Sequence, residues 1–152
     1  MYVLGILGIA FWLMNYGDEI WFVDDDRVFE SVISKFLEGT PYEKNHRVFN
    51  DGDIALLELI SRAKSGKALP SIIYLDLNMK YIEGWETLDF LTHSAEGCKV
   101  VIVTSSLSEM DRKRASREAL VVDYMTKPIE KEQLLLSIRT LLGKDANGSM
   151  AV

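Results

Sequence analysis

Hydrophobic positions along this chain follow two alternating patterns. Five short runs, Glu19-Ile20-Trp21-Phe22-Val23, Arg47-Val48-Phe49, Ser71-Ile72-Ile73-Tyr74-Leu75, Lys99-Val100-Val101-Ile102-Val103 and Val121-Val122-Asp123-Tyr124-Met125, have the length of strands. Between them the apolar residues recur at helical spacing. Val28, Phe29, Val32, Ile33, Phe36 and Leu37 predict a first helix, with Gly39 as its stop. Asp51 to Asp53 opens a second, which carries Ile54, Leu56, Leu57, Leu59, Ile60 and Ala63 and closes at Gly66. A third follows Gly84 with Trp85, Leu88, Phe90 and Leu91. Ser108 with Asp111 predicts a capping box for a fourth, and Pro128 is placed to start a fifth with Leu134, Leu135, Ile138, Leu141 and Leu142.

Strand and helix therefore alternate five times, with connections long enough for crossovers. The expected fold class is α/β: a doubly wound, five-stranded parallel sheet with helices on both faces. In such sheets ligands bind outside the carboxyl ends of the strands. The length of 152 residues suits one domain, expected over 19–142, with a loose tail at 143–152.

Residues 1–18 stand apart. Met1 to Gly17 carries no charge and is mostly apolar, at the lower limit of about 17 residues for a spanning helix. No basic residue precedes it and no small-residue cleavage pattern follows, so a secretory signal is a poor match. A membrane anchor, a packed extension and a non-native upstream start all fit that run; elsewhere nothing suggests a membrane.

Composition narrows the function class. Hydrophobic residues make up 48% and charged residues 26%, as in an ordinary globular protein. A net charge of −6, with no basic stripe, argues against a nucleic-acid partner. The single cysteine, Cys98, excludes an intramolecular disulfide and a multi-thiolate metal site, which suits a reducing cytoplasm.

The chemistry gathers where the runs end. The first strand leads into Asp24-Asp25-Asp26, the third into Asp76, the fourth into Thr104, and the fifth into Thr126-Lys127-Pro128. In a parallel sheet these ends share one edge. Carboxylates collected there repel, raising at least one pKa unless a cation compensates. Magnesium suits such hard oxygen donors and keeps positions open for a phosphate oxygen. A carboxylate beside that ion can act as a nucleophile toward phosphorus, with the Lys127 ammonium and the Thr104 hydroxyl aimed at the phosphoryl oxygens.

In order and spacing, Phe22-Val23-Asp24-Asp25-Asp26, Leu75-Asp76-Leu77-Asn78-Met79 with Gly84, Val103-Thr104-Ser105 and Tyr124-Met125-Thr126-Lys127-Pro128 resemble the receiver domain of two-component response regulators. The resemblance covers about residues 19–142. It implies a flavodoxin-like sheet of order 2-1-3-4-5, an order the general rules for this fold illustrate with a chemotaxis receiver. It implies that Asp76 is the phosphoacceptor, supplied by a histidine kinase or phosphotransfer protein. Asp24, Asp25, Asp76 and the backbone carbonyl of Asn78 would hold Mg2+, Lys127 would pair with the phosphoryl group, and Thr104 and Tyr124 would form the switch.

No output domain is expected after Leu142, so the resemblance implies a downstream protein target in trans, or a homodimer, read by the fourth helix, fifth strand and fifth helix. Such a protein is a signalling switch and not an enzyme in the ordinary sense.

Two residues depart from the family pattern. Lys80 stands where proline usually follows Asp-x-x-Met, which is expected to loosen that loop and add a cation near the site. Leu120-Val121 replaces a frequent Gly-Ala, so the turn before the fifth strand is expected to differ.

Two other readings share the features. A haloacid-dehalogenase-type phosphatase also uses an aspartate nucleophile, but normally after its first strand and with a second acid two residues on, where this chain has Asn78. A phosphorylation-independent binding module would not need all five site residues. A flavin or nucleotide binder would need a glycine-rich loop after the first strand, and none is present.

Overall fold

The protein is described here from a computed structural model covering residues 17–80, 84–94 and 97–143. The expectations for 1–16 and for the tail from 144 onward fall outside the described residues, as does the loop at 81–83.

Five parallel strands form one sheet: β1 (Ile20–Val23), β2 (His46–Phe49), β3 (Ile72–Leu75), β4 (Lys99–Thr104) and β5 (Val121–Thr126), in the order β2-β1-β3-β4-β5. The doubly wound parallel sheet is the one expected from the strand and helix alternation, and its flavodoxin-like order is the one the resemblance implied. The register aligns Val23 with Phe49 on one side and with Leu75 on the other, so the residues that follow β1 and β3 emerge side by side. Between β4 and β5 the register shifts, with Val100 facing Val121 and Val101 facing Asp123. The turn beyond Leu120 thus enters the sheet through an irregularity.

The helices are α1 (Arg27–Leu37), α2 (Gly52–Ser65), α3 (Gly84–Ser94), α4 (Glu109–Ala115) and α5 (Lys131–Leu142). Because side chains alternate along a strand, the sheet divides the core in two. Trp21, Val23, Ile73, Leu75, Val100 and Ile102 pack with Ala55 and Leu59 of α2, Leu88 and Leu91 of α3 and Ala115 of α4. Ile20, Phe22, Ile72, Tyr74, Val101 and Val103 pack with Phe29, Ile33 and Leu37 of α1 and Leu134 and Ile138 of α5. Phe22 and Tyr74 stack at 4.9 Å across β1 and β3, and Tyr74 Oη donates to Ser137 Oγ at 2.9 Å, tying the sheet to α5. Burying each such large apolar side chain contributes about 1.5–3 kcal/mol.

Helix ends match the expected signals in part. Asp26 caps α1 by accepting from Val28 N, Asp51 caps α2 by accepting from Asp53 N, and Gly66 ends α2 at φ 67°, a conformation that favours glycine. Ser108 caps α4 through Asp111 N, but the Asp111 carboxylate accepts from Ser106 Oγ at 2.9 Å, so only half of the capping box forms. The start of α5 differs from expectation. The helix begins at Lys131 after Glu130: the chain bends at Lys127 and Pro128, and Ile129 is buried in the core before the helix starts. The expected apolar face of α2 is also rotated: Ala55 and Leu59 are buried, whereas Ile54 and Leu57 face solvent.

Candidate functional site

The hydrogen-bond ladder of the sheet runs one step past the strands and thereby places the site. Asp24 N donates to Phe49 O, Asp76 N to Val23 O and Lys127 N to Thr104 O, each at 2.9 Å. Three loops that start from different strands are thus fixed to one edge by backbone bonds. The side chains that the sequence placed there do converge: Asp24, Asp25 and Asp76 each offer a carboxylate oxygen, and these atoms lie within 4.8 Å of one another.

Lys127 closes the cluster. Its Nζ is 2.5 Å from Asp24 Oδ2 and 3.3 Å from Asp76 Oδ2, and it lies 4.6 Å from the ring centre of Phe29 on α1. Asp24 is 1% exposed and Asp76 6%, so both carboxylates are inside the protein surface. Asp24 Oδ1 accepts from Asp26 N at 2.9 Å and Asp76 Oδ1 from Asn78 N at 3.1 Å. Asp24 Oδ2 receives no well-aligned hydrogen bond, and its compensation is the ammonium of Lys127.

The electrostatics follow from this burial. Burial pushes the Asp24 carboxyl up to about 6, more than Lys127 and the Asp26 N–H pull it down, and repulsion from Asp76 adds a smaller upward push. Charge repulsion, the cause expected from the clustering of acids, is therefore secondary to desolvation. For Lys127, burial alone would lower the ammonium; the bonds and charges of Asp24 and Asp76 overcome that and hold it raised.

Thr104 is fully buried at the end of β4. Its Oγ1 accepts from Asn78 Nδ2 at 3.1 Å and from Ser106 N at 3.2 Å, which joins the loop after β3 to the loop after β4. Tyr124 is half-buried on β5, with the Arg112 guanidinium 4.6 Å from its ring centre and its Oη buried without a hydrogen-bond partner. Burial and the nearby Asp111 raise its phenol above the ordinary value, against the opposing charge of Arg112.

Three contributors were not assigned their roles from sequence. Gly84 was visible only as part of a motif; a Cβ there would stand 2.7 Å from Leu77 Cα and 2.9 Å from the carbonyl carbon of Asp76, and closer still to the Asp76 oxygen. No side chain fits without moving the backbone that carries Asp76. Phe29 was read only as an apolar helix position. Lys80 was flagged for its charge, yet its contact with the site is made by its backbone N–H, which donates to Asp25 Oδ2 at 2.9 Å.

In chemical terms the edge offers three carboxylates, two of them buried, against one ammonium, with a buried hydroxyl linked to the same loop through Asn78. Comparison with known proteins places the chain in a family. The family model described as response regulator receiver domain matches residues 20–139. Response regulator MprA of Mycobacterium leprae is 30% identical over 134 residues, 86% of this chain but 55% of that protein, so the chain spans about half the length of that relative. The probable methanogenesis regulatory protein FilR2 of Methanothrix harundinacea is 27% identical over 124 residues, covering 80% of this chain and 79% of that one.

Among solved structures, a two-component response regulator from Cytophaga hutchinsonii superposes with a TM-score of 0.70 at 25% identity, over 83% of this chain and 97% of the other. A CheY-like receiver domain protein from Methanospirillum hungatei shares the fold, with a TM-score of 0.70 at 22% identity, over 82% of this chain and 92% of that chain. Over the span of the sheet and its five helices, this chain belongs to the response regulator receiver domain family.

Proposed function

We propose that this protein is a phosphorylation switch in which Asp76 accepts a phosphoryl group from a phosphohistidine of a kinase or phosphotransfer protein. The observation that carries the reading is the convergence of Asp76 with Asp24, Asp25 and Lys127 at the carboxyl edge of the sheet, with carboxylate oxygens within 4.8 Å. In the transfer, a carboxylate oxygen of Asp76 attacks phosphorus, the P–N bond breaks, and the imidazole leaves with the bonding pair.

The donor set fits magnesium. The oxygens of Asp24, Asp25 and Asp76 are hard ligands, and their three negative charges exceed the single charge of Lys127 by that of one divalent ion. Asp24, Asp25, Asp76 and the carbonyl of Asn78 would hold it, and when bound it supplies charge neutralisation for the incoming phosphoryl oxygens. Lys127 orients and neutralises one phosphoryl oxygen, and burial of Asp76 excludes bulk water from the nucleophile.

The phosphoryl group adds about −1.5 to −2 charges and three acceptor oxygens. Thr104 Oγ1 accepts from Asn78 Nδ2 and Ser106 N, and turning its O–H toward one of these oxygens would shift those partners. That exchange of partners is the two-state element, and the differential contacts of the phosphoryl group shift it. Its readout is the face of α4, β5 and α5, where Met110, Val122 and Leu136 are exposed apolar residues suited to a protein partner or a second copy.

The test is chemical. Incubation with acetyl phosphate and Mg2+ followed by peptide mapping is expected to place a hydroxylamine-labile phosphoryl group on Asp76. Steady turnover of a phosphate monoester, abolished by Asp76→Asn, would instead make the protein a phosphatase.

A further inference from the structure

Each carboxylate of the acidic cluster has one oxygen held by a backbone N–H. For Asp24 and Asp76 the donor is local, two residues ahead: Asp26 N on Asp24 Oδ1 and Asn78 N on Asp76 Oδ1. Asp25 has no such local donor. Its Oδ2 accepts at 2.9 Å from Lys80 N, 55 positions away on the loop after β3, and this is the one hydrogen bond to that side chain among the described residues. A proline at position 80, the residue the family pattern leads one to expect, has no N–H to give.

We infer that the backbone N–H of Lys80 is a positioning donor for Asp25, holding its Oδ2 and so fixing the carboxylate in the orientation that brings an oxygen within 4.8 Å of those of Asp24 and Asp76 for a divalent cation. The inference deepens the magnesium reading above and rests on it. The physical case has two parts. Magnesium takes carboxylates by one oxygen and tolerates little departure from octahedral geometry, so a ligand that is already oriented gives up less freedom on binding. A carboxylate has lone pairs for both partners, so the N–H and the cation can be accommodated together on different oxygens. Lys80 is exposed and Asp25 only half-buried, and among the described residues no other hydrogen bond selects one orientation of the Asp25 carboxylate.

The assignment is to the peptide group and not to the ammonium, which separates the variants. Magnesium affinity is measured by titration calorimetry for the parent, Lys80→Ala and Lys80→Pro. Lys80→Ala keeps the N–H and is expected to bind as tightly as the parent or slightly more tightly, having lost a positive charge. Lys80→Pro removes the donor and is expected to bind about tenfold more weakly, as for other partners that orient metal ligands.

Because proline also restrains Met79, hydrogen exchange of the Lys80 amide in the unaltered protein supplies the second readout. It is expected to be protected both without Mg2+ and at saturation, and to lose protection in Asp25→Ala. Unchanged or tighter binding by a folded Lys80→Pro would overturn the inference, as would release of the Lys80 amide when Mg2+ binds. A parent protein that binds Mg2+ with Lys80→Pro unaffected removes this role alone, whereas a parent that takes up no Mg2+ removes the metal reading with it.

Discussion

Lys127 Nζ sits 2.5 Å from Asp24 Oδ2, so the cation proposed to serve the phosphoryl group rests first on one of the acids proposed to hold the metal. Its contact with Asp76, the proposed nucleophile, is longer, at 3.3 Å. In the resting protein Lys127 thus occupies part of the charge that a divalent ion would neutralise.

Lys127→Met should therefore separate metal binding from chemistry. Without the ammonium, Mg2+ meets less repulsion and is expected to bind more tightly by calorimetry. Phosphorylation by acetyl phosphate is expected to fall about 100-fold or more, the scale for losing one donor to a developing anion. Parallel loss of both would show that Lys127 only holds the site together.

Gly84→Ala tests the support beneath Asp76. The new methyl would press on Leu77 Cα at 2.7 Å and on the Asp76 carbonyl carbon at 2.9 Å, and the obstacle is backbone. We expect a loss of about 2–3 kcal/mol in urea unfolding, as for strained overpacking, together with slower phosphorylation. A variant as stable as the parent would mean that the loop yields freely.

Thr104→Ala removes the acceptor shared by Asn78 Nδ2 and Ser106 N. A loss of about 1–2 kcal/mol is expected from the unpaired donors, with Thr104→Ser close to the parent. The alanine variant should still take up phosphate but show no shift of the Tyr124 ring resonances on phosphorylation. A normal Tyr124 response would remove Thr104 from the switch.

The Asp24 carboxyl, raised from 3.8 to about 6 mainly by burial, gives a defined pH dependence. Between about pH 4 and 6 the folded state binds more protons at this group than the unfolded state. Its contribution to stability is therefore present at low pH and is lost as pH rises through the folded value. Urea midpoints of the metal-free protein should show this component, and Asp24→Asn should flatten it and be the more stable at pH 7. Mg2+ uptake should weaken as pH falls below about 6, because the ion must displace that proton.

The sheet and the site edge were legible because strand ends are marked by abrupt changes from apolar to polar residues: Val23 to Asp24, Leu75 to Asp76, Val103 to Thr104. Helix faces were less so. Periodicity gave the large residues Ile54 and Leu57 to the core, while the small Ala55 lies there beside Leu59 and the two larger residues face solvent. Pro128 carried a start signal, but the chain bends there, buries Ile129 and begins the helix only at Lys131. Backbone donors have no residue-type signature, so the role of Lys80 N on Asp25 was invisible beside its conspicuous charge. The capping box failed halfway for a similar reason, since Ser106 competes for the Asp111 carboxylate.

The central claim is that Asp76 carries the phosphoryl group, and intact-mass measurement tests it most directly. The parent and Asp76→Asn are incubated with acetyl phosphate and Mg2+ beside a receiver known to respond. The account predicts a labile gain of one phosphoryl group in the parent alone, abolished by chelating the metal. No gain in the parent while the control is modified, or an equal gain in Asp76→Asn, would contradict it.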